Sequence, residues 1–152
     1  MLDRLDRSDP LHALHDGNVA DYLTALEGVS HFICVAWHAQ HGRDVSRLVL
    51  ELQAEVDKYV ATLELLRRQA PGHFPRELHR ILFARTRIDP RLTRERAALY
   101  RRASDYAARF CRRIEGRMQG EAEEAVRDMA AELRRFYRLT ESRKLAHIDR
   151  CA

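Results

Sequence analysis

His31, Cys34, His38 and His41 recur at intervals of three, four and three residues. On a helix, at 100° per residue, all four project from one side, within about 80° of one another. Imidazoles and a thiolate at these spacings can chelate one ion, and the set suits zinc, copper or haem iron better than magnesium or calcium. His31 and His38 stand two turns apart, about 10–11 Å, so one ion needs Cys34, one or two of the histidines and a ligand from elsewhere. His12 and His15, three apart near the N-terminus, are the obvious supply. The cluster has two plainer readings. One is ordinary flank histidines around a small core cysteine; the other is a group of imidazoles that titrate together near neutrality.

A second pattern is electrostatic. From Arg76 to Arg117 there are 13 arginines against 5 acids, a local balance of +8 in a chain of net charge +4. Arg94, Arg101, Arg102, Arg109, Arg112 and Arg113 fall opposite or beside the apolar stripe of one expected helix. Such a row can follow nucleic-acid phosphates, with binding that falls steeply as salt rises. Specific readers add base-contacting or stacking groups, whereas Tyr100, Tyr106 and Phe110 fall toward the core side. Only Lys58 and Lys144 are lysines among 27 basic residues, so an arginine bias runs through the whole chain. The row therefore also reads as a solvated face.

Catalytic signatures are missing. The chain has no Glu-x-x-His pair, Gly-rich phosphate loop, Gly-x-Ser-x-Gly elbow, Cys-x-x-Cys or His-Glu-x-x-His. Cys111 lies next to a core stripe and is expected to fill space, and Cys151 near the end is expected to be exposed. No enzymatic activity and no bound cofactor is therefore expected, zinc or haem at the His/Cys face being the exception.

These residues must be positioned by helices. Asp9-Pro10 predicts a short helix ending at Gly17, and Asn18 starts a longer one over 19–40 that Gly42 stops in the left-handed conformation. Val19, Tyr22, Leu23, Leu26, Val29, Ile33 and Trp37 are its expected buried stripe. Gly28 inside it costs about 1 kcal/mol against Ala, which a close helix neighbour would explain. Asp44 caps a helix over 44–69 whose Val45, Val49, Leu52, Val56, Tyr59, Leu63 and Leu66 form a heptad seam. A short helix over 75–84 should turn Leu78, Ile81 and Leu82 inward. Leu99, Ala103, Tyr106, Ala107, Phe110 and Ile114 line a helix over 93–119, and Gly120 breaks it. Ala122, Val126, Met129, Leu133 and Phe136 line another over 121–139; Thr140 caps a last one holding Leu145 and Ile148. The expected fold is all-α, an antiparallel bundle of four long helices with two or three short ones. The 152 residues make one domain, with 1–8 a flexible lead-in.

The longest wholly apolar run, Phe32 to Trp37, is shorter than the ~18 residues of a spanning helix. Three widely spaced cysteines do not make a disulfide framework. Together these point to a cytoplasmic protein with no membrane partner. The helical layout from about Asn18 onward, with Arg135-Phe136 followed by Leu139, Glu141 and Leu145, resembles the Rsd/AlgQ-type regulators, which bind a sigma factor of RNA polymerase. Tyr137-Arg138 and Arg143-Lys144 stand in place of that family's acidic tract, so the resemblance carries over no functional residue. The expectation is a non-enzymatic regulatory or adaptor protein, in the setting of transcription if the resemblance holds. Its partner would be a second copy of itself or a helix of another protein. A metal or haem sensor, and a nucleic-acid binder using the arginine row, are the alternatives.

Overall fold

The computed structural model describes residues 1–84, 89–118 and 123–150, and none of them is in a strand. In chain order the elements are α1 (Leu2–Arg7), α2 (Val19–Gln40), α3 (Arg47–Gln69), a π-helical turn (Arg80–Ala84), α4 (Arg94–Met118), α5 (Glu123–Tyr137) and α6 (Glu141–Asp149). All-α is the class the periodicity requires, and the four long spans lie within three residues of expectation.

The core is built on α3. Its seam residues Leu52, Val56, Tyr59 and Leu63 are all but sealed from solvent, and Leu48 and Leu65, off the seam, are buried as well. The reason is that α3 packs on α2 along one side and α4 along another, while α4 also carries α5 and α6. A helix with neighbours on several sides buries more than one stripe. From α4, Ala103, Ala107, Phe110 and Ile114 meet the seam, the two alanines letting the helix axes approach closely. Phe110 stacks on Phe136 of α5 with ring centroids 3.9 Å apart, and Ile148 of α6 joins the same cluster. Gly120, Ala122, the side chain of Val126 and Cys151 lie outside the described residues.

The ends follow local chemistry, with three departures from expectation. Gly42 and Gly72 take positive φ, +60° and +78°, as left-handed stops after α2 and α3. Ser46, rather than Asp44, caps α3: its Oγ accepts from Val49 N at 3.2 Å. The span 9–17 is a chain of turns, because side chains take up the backbone groups a helix would have used. Asn18 donates to Ala13 O (2.8 Å) and accepts from His15 N (2.9 Å), while Gln69 of α3 donates to Pro10 O (2.8 Å) and accepts from Leu14 N (3.0 Å). Arg4 grips Asp21 through two hydrogen bonds, of 2.6 and 2.7 Å, fastening α1 to α2. In the span 75–84, Leu78 is buried but Ile81 is half exposed. The wider π-turn lets both His79 and Phe83 face Tyr59, with ring centroids at 5.9 Å from each, and so swings Ile81 outward.

Candidate interaction face

The structure rotates α2 by about 80° relative to its expected stripe, of which Val19, Leu23, Leu26 and Trp37 stay partly covered. Tyr22 is buried, but Val29 and Ile33 are half exposed, and the buried row is Ser30, Cys34 and His38, one every fourth residue. The cause lies on α3, whose side toward α2 is polar. Ser30 Oγ donates to Asp57 Oδ2 (2.5 Å), and Gln53 Nε2 donates to Asp57 Oδ1 (2.8 Å). Lys144 Nζ, from α6, donates to Gln53 Oε1 (2.8 Å) and Phe136 O (2.7 Å). Lys58 Nζ bridges Glu27 (3.0 Å) and Glu55 (2.7 Å). His31 Nε2 stands 3.5 Å from Glu51 Oε2, an ion-pair distance without hydrogen-bond alignment. Buried polar groups need partners, so the polar side of α2 is the one that can match α3. Its apolar side is left outside.

That outer side carries Ala25, Gly28, Val29, Phe32 and Ala36, with Ile33 and Val35 on its margins. Phe32 is 74% exposed, and Val29, Ile33 and Val35 about half. The charges beside it are paired: Asp21 with Arg4, which is exposed, and Glu27 with Lys58 of α3. Toward the N-terminal end the face runs into a groove of about 440 Å³ between α2 and the first eleven residues, lined on the α2 side by Tyr22, Ala25, Leu26 and Val29 and on the other by Leu5, Pro10 and Leu11 with Asp6 and Asp9. Leu2 and Leu11 are also exposed. At ~200 Å² per large side chain, the six exposed aliphatic and aromatic residues present on the order of 600 Å² of apolar surface. That is the upper end of what a monomer shows, and patches of this size are commonly functional.

The histidines and Cys34 go to different surroundings. Cys34 and His38 are buried together, with His38 Nδ1 2.8 Å from Cys34 O and 3.7 Å from its Sγ. Burial pushes the Cys34 thiol up, keeping it a neutral, unreactive thiol. His31 faces Glu51, and His41 is exposed, its ring 4.3 Å from that of Trp37. His12 is exposed, and His15 lies 3.0 Å from Ser8 Oγ in the turns before α2. Cys34 is fifteen residues into α2, about 22 Å along it, so the structure does not bring His12 and His15 to the other four. Among the described residues no three His, Cys, Asp or Glu side chains converge as a metal site requires.

The arginine row divides in two. Arg94, Arg101 and Arg102 point to solvent, Arg102 lying over the Tyr106 ring. The other three tie elements together. Arg109 pairs with Asp149 of α6 (2.9 Å), and Arg112 Nη2 reaches His79 Nδ1 (3.1 Å). Arg113 and His147 both lie 2.6 Å from Glu132 Oε1, joining α4, α5 and α6. An open cleft of about 460 Å³ beside the π-turn holds Arg76, Arg80 and Arg112 with Glu77 and Glu115.

No protein-family model, curated protein or solved structure matches this chain.

Proposed function

We propose that the protein acts by binding another protein through the outer face of α2, as a non-enzymatic regulator or adaptor. The observation that carries this is the exposed apolar side of a helix whose buried polar groups are matched to α3. We read the four long helices as an antiparallel bundle, supported by the packing of α2 on α3, α3 on α4 and α4 on α5. In that setting α2 is an outer helix with one side uncovered.

By length and composition α2 is also long and apolar enough to cross a membrane. Its own contacts argue for a protein partner. Crossing would carry Glu27 into hydrocarbon, and would either take Lys58 and Asp57 with α2 or strip them from Glu27 and Ser30; each is expensive. Helices that lie on a membrane carry Lys and Arg on their polar side, where they meet anionic lipid. Residues 1–40 instead hold six acids against two arginines, which anionic lipid repels.

The test is a photo-crosslinking residue, p-benzoylphenylalanine, placed at Phe32 or, as control, at Arg101 on the far side, and irradiated in cells. Discrete protein adducts from position 32 and none from position 101 are expected. Lipid adducts from position 32, or no adduct there, would overturn the reading.

A further inference from the structure

Resting on that reading, we propose that the occupant of the face is a second copy of the chain. Its α2 runs antiparallel to the first and crosses it at Gly28, and each copy's Phe32 fills the other's groove. Three independent features meet on this geometry.

The first is Gly28. A glycine inside a helix is unfavourable against Ala, yet a Cβ built on Gly28 meets nothing within 4 Å, as at the exposed Gly116 of α4. Nothing among the described residues calls for the missing side chain. A second helix crossing there does, because small residues let two axes approach to about 8 Å, and Ala25 and Ala36 continue the shallow surface on either side.

The second is that the face carries a knob and a hole. Phe32 projects, and the groove beside Ala25 and Val29 recedes by about 440 Å³. A cavity of ~150 Å³ already admits a benzene ring. A two-fold interface is self-complementary: where one copy's residue i meets j, the other's j meets i. With the axis passing between Gly28 and Val29 of antiparallel helices, residue 32 of each copy lies opposite residue 25 of the other. That seats both rings at once. In a parallel pair the rings would meet each other and both grooves would stay empty.

The third is charge. Before α2, residues 1–18 carry four acids, Asp3, Asp6, Asp9 and Asp16, against Arg4 and Arg7; after it come Arg43, Asp44 and Arg47. Antiparallel pairing brings the net-negative end of each copy to the net-positive end of the other; parallel pairing would stack like on like. The apolar area of order 600 Å² per copy, with the flanking polar rim, approaches the ~800 Å² per partner of a stable interface.

The experiment uses the full chain. Sedimentation equilibrium of the wild type should give a dimer. Gly28→Leu should weaken dimerisation at least tenfold while helicity and the thermal midpoint of the monomer stay unchanged or rise, because the added side chain enters open space. In a Cys151→Ser background, mixing Ala25→Cys chains with Phe32→Cys chains should yield a disulfide-linked heterodimer, with neither variant cross-linking to itself. A wild-type chain that stays monomeric at high concentration, or self-cross-linking of the Phe32→Cys variant alone, overturns the proposal. In either case, photo-crosslinks from position 32 to a different protein would leave the contact reading standing, and their absence would remove both.

Discussion

Lys144 offers the sharpest check on the polar layer that decides which side of α2 is buried. Its side chain is 1% exposed, with Nζ bonded to Gln53 Oε1 and Phe136 O and held 4.1 Å from the centroid of the Phe136 ring. Burial pushes its pKa down from 10.5 to about 8, against a smaller upward pull from Cys34 and Asp57. Below pH 8 the folded and unfolded chains both carry the proton, and the contribution is constant. Between pH 8 and 10.5 only the unfolded chain holds it, so stability rises with pH. A gap of about 2.5 units corresponds to about 3 kcal/mol, most of it gained by pH 10. Tyr137, pushed up to about 12 by burial, and Cys111, raised well above its usual value, act in the opposite sense at high pH. The measurement is therefore a difference. Lys144→Met keeps the length, removes the titration and leaves two buried acceptors short of a donor, costing about 1–3 kcal/mol at neutral pH. Urea unfolding of both proteins from pH 7 to 10, followed by far-ultraviolet circular dichroism, should show the wild type gaining on the variant by a few kcal/mol. A difference that stays flat across that range would refute a buried, charged Lys144 and with it the polar seam.

Other substitutions sort contacts inside the chain from the face left free. The Tyr137 hydroxyl is buried without a hydrogen-bond partner among the described residues, so Tyr137→Phe should stabilise by about 1 kcal/mol and raise the thermal midpoint by ~2–4 °C. Arg113→Ala leaves the part-buried Glu132 and His147 with only each other and should cost about 1–3 kcal/mol in urea unfolding, whereas Arg101→Ala should stay within ~0.5 kcal/mol. Phe32→Asp should leave monomer stability within about 0.5 kcal/mol of wild type under dilute conditions, because the ring is exposed, and a larger loss would mark it as a core residue.

Much of the fold was legible because burial and period agree. In α3 the seam from Val49 to Leu63 is apolar at every third or fourth position and buried at each one, so the amphipathic pattern alone places the central helix. In α2 the same method placed Tyr22 correctly but missed the direction of the buried row, which leaves Val29 and Ile33 outside. Val29, Phe32, Ile33 and Val35 are apolar on almost every bearing, and periodicity cannot say which of two apolar faces is covered. The deciding information sat on another helix: Glu27 with Lys58 and Ser30 with Asp57 have to be matched across the interface. The turns at 9–17 were hidden for a similar reason, since Gln69 lies 59 residues from the Pro10 carbonyl it satisfies. The histidine spacing put His31, Cys34, His38 and His41 on one helix flank, but helical phase does not report that Cys34 and His38 are sealed while His41, one residue past α2, is open. Gly28 was a visible sign of the outer face: a helix breaker inside a helix, where a Cβ would meet nothing among the described residues.

Whether the outer face of α2 is covered while the protein works can be read directly by hydroxyl-radical footprinting in cells. Oxidation of Phe32 in cells should be several-fold lower than in the purified Gly28→Leu monomer, while Leu99, away from the face, labels alike in both. Equal oxidation of Phe32 in the two samples would mean that nothing binds there.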